Sequence, residues 1–256
     1  MSDTEAANTE TAADERLTRL RNEGRERRWP NVKPADAATL IIVDRSGVEP
    51  KVLMGQRHAS HKFMPGKYVF PGGRTDPEDR KMPVAGLLDS VTEAKLLQRV
   101  QRPTISRART LALASIRETF EETGLLIGTR DFGTPEIEIG GPWAEFAGHG
   151  VYPSLEPMHF IARAITPPRR PKRFDARFFM VEKEAIVHQV EGVVGPDSEL
   201  VDLVWVTLAD TAAMELPAIT RIVLEELAEA LTTGLSRHRP VPFYYERNRS
   251  FQREYL

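Results

Sequence analysis

Three carboxylates close to one another on a helix are the clearest chemical feature of this chain. In the stretch Arg117-Glu118-Thr119-Phe120-Glu121-Glu122-Thr123-Gly124-Leu125, a rotation of about 100° per residue puts Glu118, Glu121 and Glu122 on one helix face. Leu113, Ile116 and Phe120 fall on roughly the opposite face, so the acidic side is expected to point away from the core. Gly124 is a natural stop, because glycine enters the left-handed region without steric cost. Glu121 and Glu122 then occupy the last turn, where the helix dipole is negative and carboxylates have the wrong sign. Mutual repulsion adds to the penalty. A solvated acidic face is the commoner fate of such residues. A bound divalent cation is the alternative, and it would turn repelling oxygens into ligands.

The elements that must position these carboxylates lie upstream. Val69-Phe70-Pro71-Gly72-Gly73-Arg74 is a β-branched and aromatic run that breaks into a double glycine. Such a break uncovers backbone carbonyls and lets the chain approach a ligand closely. Before it, the apolar run 37–43, a turn at Asp44-Arg45-Ser46-Gly47 and the run 51–56 predict a β-hairpin. The loop 57–68 between hairpin and glycines holds Arg57, Lys62, Lys67 and two histidines.

Phe-Pro-Gly-Gly followed by Arg-Glu-x-x-Glu-Glu-x-Gly resembles the Nudix box, the signature of hydrolases acting on nucleoside diphosphates linked to another group. The resemblance implies an α/β fold with a mixed β-sheet sandwiched between helices. It implies magnesium or manganese held by Glu118, Glu121, Glu122 and the carbonyl of Gly73, with Arg117 orienting the glutamates through an ion pair. The family places a glutamate six residues after the second glycine and Arg-Glu eight residues further on. Here Asp79 holds the first position, neither it nor Glu78 is assigned a role, and Arg117 lies far downstream. A segment of about thirty residues, 77–103, therefore interrupts the box. Ser90 to Val100 within it has helical spacing, with Ser90 as the expected N-cap and Glu93 three residues on. The insert could cover the pyrophosphate, shape a substrate pocket or meet another subunit; as a lid or a subunit contact it could be deleted without loss of folding, and a homodimer is the candidate assembly.

The loop before the glycines is similar to the coenzyme A signature of coenzyme A diphosphatases, a branch in which a long box insert also occurs. It implies hydrolysis of coenzyme A or acyl-coenzyme A, with Arg57, Lys62, Gly72 and Arg74 toward the substrate and Arg57 and Lys62 on a phosphate beyond the diphosphate. ADP-ribose, NAD(H) or a nucleotide sugar is the alternative substrate. A non-catalytic ligand-sensing Nudix module is the alternative of another class. Glu121 or Glu199 is the expected general base; Glu199 stands just before the strand 201–207, a position that resembles one contributing a catalytic glutamate outside the box.

The rest of the chain is less specific. At 256 residues with 41% hydrophobic content it can bury a substantial core. A net charge of −2 gives no steering toward nucleic acid or anionic membrane, and the absence of cysteine excludes disulfides and thiolate metal sites. No run in it resembles a signal peptide or a membrane span, so a cytoplasmic protein with a small-molecule partner is expected. Residues 1–32 are expected to be disordered or a short charged helix, 33–235 the Nudix domain, and 236–256 an aromatic and charged tail. The strands 159–166 and 173–181 flank a basic, proline-rich loop, and Arg169, Arg170, Lys172 and Arg173 read equally as contacts to a ligand phosphate or as a solvated hairpin loop. A helix is expected over 220–231, with Ile222, Val223, Leu227 and Leu231 apolar.

Overall fold

Apolar residues on alternate positions of one central strand face two different cores, and this arranges the whole molecule. In β1 (Ala35–Asp44), Ala38, Leu40 and Ile42 are buried on one side and Ile41 and Val43 on the other. The structure, a computed structural model, describes residues 14–23, 27–60, 65–135 and 140–256. Its mixed sheet runs β11 (Ser250–Tyr255), β10 (Pro242–Arg247), β6 (His159–Ile165), β7 (Phe174–Glu182), β1, β2 (Lys51–Arg57) and β3 (Tyr68–Val69), with β4 (Gly72–Arg74) on β1 and β9 (Leu200–Thr207) on β2. Helix α1 spans residues 14–23. Among the described residues no helix is long and apolar enough to cross a membrane.

β1 changes partner along its length. Val43 and Asp44 pair with Val52 and Lys51 of β2, as the hairpin reading expects. Further back, Ala37, Ala38 and Thr39 pair with Arg74, Gly73 and Gly72 of β4. On its other side β1 runs parallel to β7 from Ala35 to Val43. The glycine edge is thus wedged into the splay between β1 and β2.

The first core layer packs under α3 (Ile105–Thr123), whose start is capped by the Thr104 side chain accepting from the Arg107 N–H. Gly124 ends it at φ 75°, where a Cβ would collide with the Val190 carbonyl oxygen. Two Arg107 bonds to Asp36, at 2.7 and 2.8 Å, fix the start of α3 to β1. After it comes β5 (Leu125–Ile127), which pairs with β8 (Ile186–Gln189) in a separate two-stranded sheet that sequence patterning did not separate out. Trp143 and Phe146 of α4 (Trp143–Gly148) are fully buried in the same layer.

The insert is part of this core. Met82, Leu88 and Leu96 are buried with the α3 residues, and Lys95 of α2 (Ser90–Leu96) donates to the carbonyls of Arg237 and Arg239. A segment so embedded is not a detachable lid, and its deletion would open cavities. The N-cap of α2 is Asp89, not Ser90: its carboxylate accepts from the N–H groups of Val91 and Thr92, stronger acceptance than a hydroxyl gives.

The second layer packs α5 (Ala218–Thr233) and α1 on the opposite face. Glu226 of α5 is fully buried and accepts from Arg16 at 2.8 Å, Arg253 at 2.7 Å and the Tyr244 hydroxyl. Arg16 also pairs with Glu225 and Glu229. The N-terminal helix and the strands formed by 242–255 therefore meet at one carboxylate, and the segment read as a tail extends the sheet through β10 beside β6. Arg16→Ala should cost about 1.5–3 kcal/mol, the range for hydrogen bonds to charged groups. Urea denaturation checks it; a loss under about 0.5 kcal/mol would mean that Leu20 alone docks α1.

Candidate active site

The double glycine is needed for contact on both sides. A Cβ on Gly72 would sit 2.6 Å from the Ala38 carbonyl oxygen and 2.7 Å from Thr39 Cα, and one on Gly73 would strike the Glu118 carboxylate. Only a glycine edge lets β4 lie against β1 while α3 brings its glutamates down onto it. The Gly72 N–H donates to Glu122 Oε2 at 3.2 Å.

Arg117 is the organiser of the acidic side. Its Nη1 bridges Glu118 and Glu121, each at 2.9 Å, and its Nη2 reaches the Arg74 carbonyl at 2.7 Å. Nε donates to Asp79 Oδ1 at 2.7 Å, and Asp79 is fully buried. Trp143 Nε1 adds a bond to the same carboxylate at 3.2 Å. Asp79, to which the sequence assigned no role, is thus the inner anchor of Arg117. The signal was its position six residues past Gly73, obscured by the insert that follows.

The acidic face is solvated only at Glu121, and not across its width as the helical wheel suggested. Glu122 is 7% exposed, because β4 and the start of β1 cover that side of α3. Burial, then repulsion from Glu199 and Glu118, pushes its carboxyl well above the ordinary glutamate range. Burial raises Glu118 as well, against the opposing pull of Arg117. Glu121, more exposed, faces a neighbouring recess with Asp76, Glu78 and Trp143.

Glu118, Glu122 and Glu199 line one cavity of about 370 Å³ on the α5 side of the sheet. Arg57, Gly72, Gly73 and Arg74 line it too, and Phe70, Phe178 and Tyr244 contribute apolar surface. Arg57 is paired with Glu199 at 2.9 Å. Lys62 lies outside the described residues. Leu20 and Glu23 of α1 and Ile219 of α5 complete the walls, a contribution from distant segments that sequence reading missed.

Among the described residues, no group of three acidic or histidine side chains is gathered as a metal cluster. Arg117 holds Glu118 and Glu121, and the Gly72 N–H holds Glu122. The donor chemistry nevertheless fits a hard divalent cation. It is all carboxylate oxygen, and the repulsion and burial that raise Glu122 and Glu118 are what such a cation would relieve.

The fold is similar to that of solved structures. The chain is 28% identical to a NUDIX hydrolase from Alicyclobacillus acidocaldarius, with a TM-score of 0.57, over 80% of this chain and 98% of that one. The NUDIX domain of Shewanella oneidensis NrtR, solved with ADP ribose, is 14% identical with a TM-score of 0.43, over 78% of this chain and 90% of that one. No protein-family model and no curated protein matches the sequence. The mixed sheet between helices is the Nudix fold.

Proposed function

We propose that this Nudix hydrolase cleaves the phosphoanhydride of a nucleoside diphosphate linked to another group, with coenzyme A or an acyl derivative as its substrate. The observation that supports the reading is one cavity lined by the carboxylates of Glu118, Glu122 and Glu199, by Arg57 and Arg74, and by the apolar side chains of Phe70, Phe178 and Tyr244. That mixed lining suits a diphosphate bearing a long, largely uncharged arm. Glu118 and Glu122 would hold magnesium or manganese, with Glu121 and the Gly73 carbonyl completing the donor set. When bound, such an ion neutralises diphosphate charge and lowers the pKa of a coordinated water.

The chain's own residues supply the rest. Arg117 fixes the rotamers of Glu118 and Glu121, and Asp79 fixes Arg117. Glu199 shares the cavity with Glu118 and Glu122, whereas Glu121 faces the neighbouring recess. Glu199 is therefore the group we assign to take the proton from the attacking water, with Arg57 orienting it at 2.9 Å. Glu199→Gln should lower kcat by about a hundred- to ten-thousandfold with little change in KM. An unchanged kcat would return the role to Glu121.

The test of the whole reading is magnesium- or manganese-dependent hydrolysis of a substrate panel, with products identified by mass. Coenzyme A should yield adenosine 3′,5′-bisphosphate and 4′-phosphopantetheine. Faster cleavage of ADP-ribose, NADH or a nucleotide sugar would replace coenzyme A as substrate. Tight binding without turnover would make the protein a ligand sensor.

A further inference from the structure

We propose that Arg170 and Lys172, on the loop between β6 and β7, form a subsite for a second phosphate, a monoester carried by the substrate away from the diphosphate that is cleaved. The inference rests on the proposed function and names a determinant of its specificity. Both side chains line the cavity that Glu118, Glu122 and Glu199 also line. Arg170 is half-buried there and Lys172 is exposed.

Charge balance distinguishes two sets of cations in the cavity lining. Near the glycines, Arg57 is matched by Glu199, and Arg74 lies 5.7 Å from the Phe174 ring centroid. On the loop between β6 and β7, Arg170 makes one bond, from Nη1 to the Glu23 carbonyl oxygen at 3.2 Å. Lys172 makes no ion pair or hydrogen bond with any described residue. Glu23 supplies a carboxylate there, but it accepts from the Ala218 N–H at 3.0 Å. Both cations thus line the cavity without an ion-pair partner among the described residues.

The loop that carries them is fixed. Arg173, directly after Lys172, donates to Asn31 Oδ1 at 2.9 Å, to the Val32 carbonyl at 2.7 Å and to the Thr166 carbonyl at 3.0 Å. Arg170 is tied to α1 at the other side of the turn. Cations on a loop whose flanking residues are tied down lose less entropy on meeting an anion than cations on a free loop do. A phosphate monoester, doubly charged and rich in acceptors, is the group that an arginine and a lysine on one loop of the cavity lining suit best. The sequence pointed to Arg57 and Lys62 for this role; the pairing of Arg57 with Glu199 makes Arg170 and Lys172 the better-disposed cations.

The experiment measures kcat/KM for substrate pairs that differ by one phosphate monoester: coenzyme A against dephospho-coenzyme A, and NADPH against NADH. The wild type is expected to prefer the phosphate-bearing member of a pair. Combining Arg170→Ala with Lys172→Ala should lower that preference by about ten- to a hundredfold. Lys172→Glu alone should lower it as well, and the charge-preserving pair Arg170→Lys with Lys172→Arg should retain it. Circular dichroism verifies the fold of each variant. A preference unmoved by both the double alanine variant and the charge reversal would overturn the subsite. Phosphate preference in the NADPH pair, lost in the variants while coenzyme A is not cleaved, would keep the subsite and remove coenzyme A as substrate. If no pair is turned over, calorimetric affinities for adenosine 3′,5′-bisphosphate and for AMP give the same ratio. Equal affinities in the wild type would then overturn the proposal.

Discussion

Glu122→Gln is expected to lower kcat/KM by about a hundred- to a thousandfold while raising the melting temperature of the metal-free protein. The two effects have one origin. Glu122 is buried against like charges, so its ionised form is held at a cost that only a cation would offset. The amide keeps the shape and can still accept from the Gly72 N–H, but it removes the charge. Because the carboxyl binds its proton more tightly in the folded than in the unfolded chain, its contribution to metal-free stability is fully present below the ordinary glutamate range. That contribution is lost as pH rises through the elevated folded value. Metal-free wild type should therefore weaken with rising pH in that window, and the Gln variant should weaken less. Magnesium should raise the wild-type melting temperature and leave the variant's nearly unchanged. Thermal unfolding across pH, with and without magnesium, reads all of this. Near-wild-type turnover in the variant, or an equal magnesium shift in both proteins, would remove Glu122 from the metal site.

Arg117→Ala should produce the largest loss of stability in the chain. It strips Asp79, which is fully buried, of its cation and leaves the Trp143 N–H as its side-chain donor. Breaking a buried pair in this way costs about 3–5 kcal/mol, which in a domain of this size lowers the melting temperature by about 6–20 °C. Activity should fall with it, since Glu118 and Glu121 lose their shared tether. Arg117→Lys keeps the charge but cannot reach Asp79, the Arg74 carbonyl and two glutamates together. Combining Arg117→Ala with Asp79→Asn should recover part of the loss, because the orphaned charge is gone. Strictly additive effects of the two substitutions would show that the pair is not coupled.

These two residues also show how much could be read in the sequence. The helix of Glu118, Glu121 and Glu122 was legible because Thr104 and Gly124 mark its ends and its apolar residues keep helical spacing. The glycine edge was legible because few other settings need two adjacent glycines after an aromatic run. The burial of Glu122 was not, since a helical wheel shows which residues share a side but not that β4 will cover it. Asp79 was hidden by the 38 positions that separate it from Arg117. For the same reason the insert looked detachable: its buried Met82, Leu88 and Leu96 have partners that no local pattern reveals. The walls supplied by Leu20, Ile219 and Tyr244 come from segments far apart in the chain. Lys62 lies outside the described residues and bears on none of these points.

The single carboxylate of Glu226 that gathers Arg16 and Arg253 sets an order of events during synthesis. Arg16 leaves the ribosome early but must wait 210 positions for Glu226, and a further 27 positions pass before Arg253 emerges. Contacts of such separation close late. The glycine edge and the glutamate helix have all their residues by Gly124, whereas the cavity still lacks Tyr244 and Phe251 at that stage. A nascent chain thus carries its complete acidic motif long before it has a pocket in which to hold a substrate.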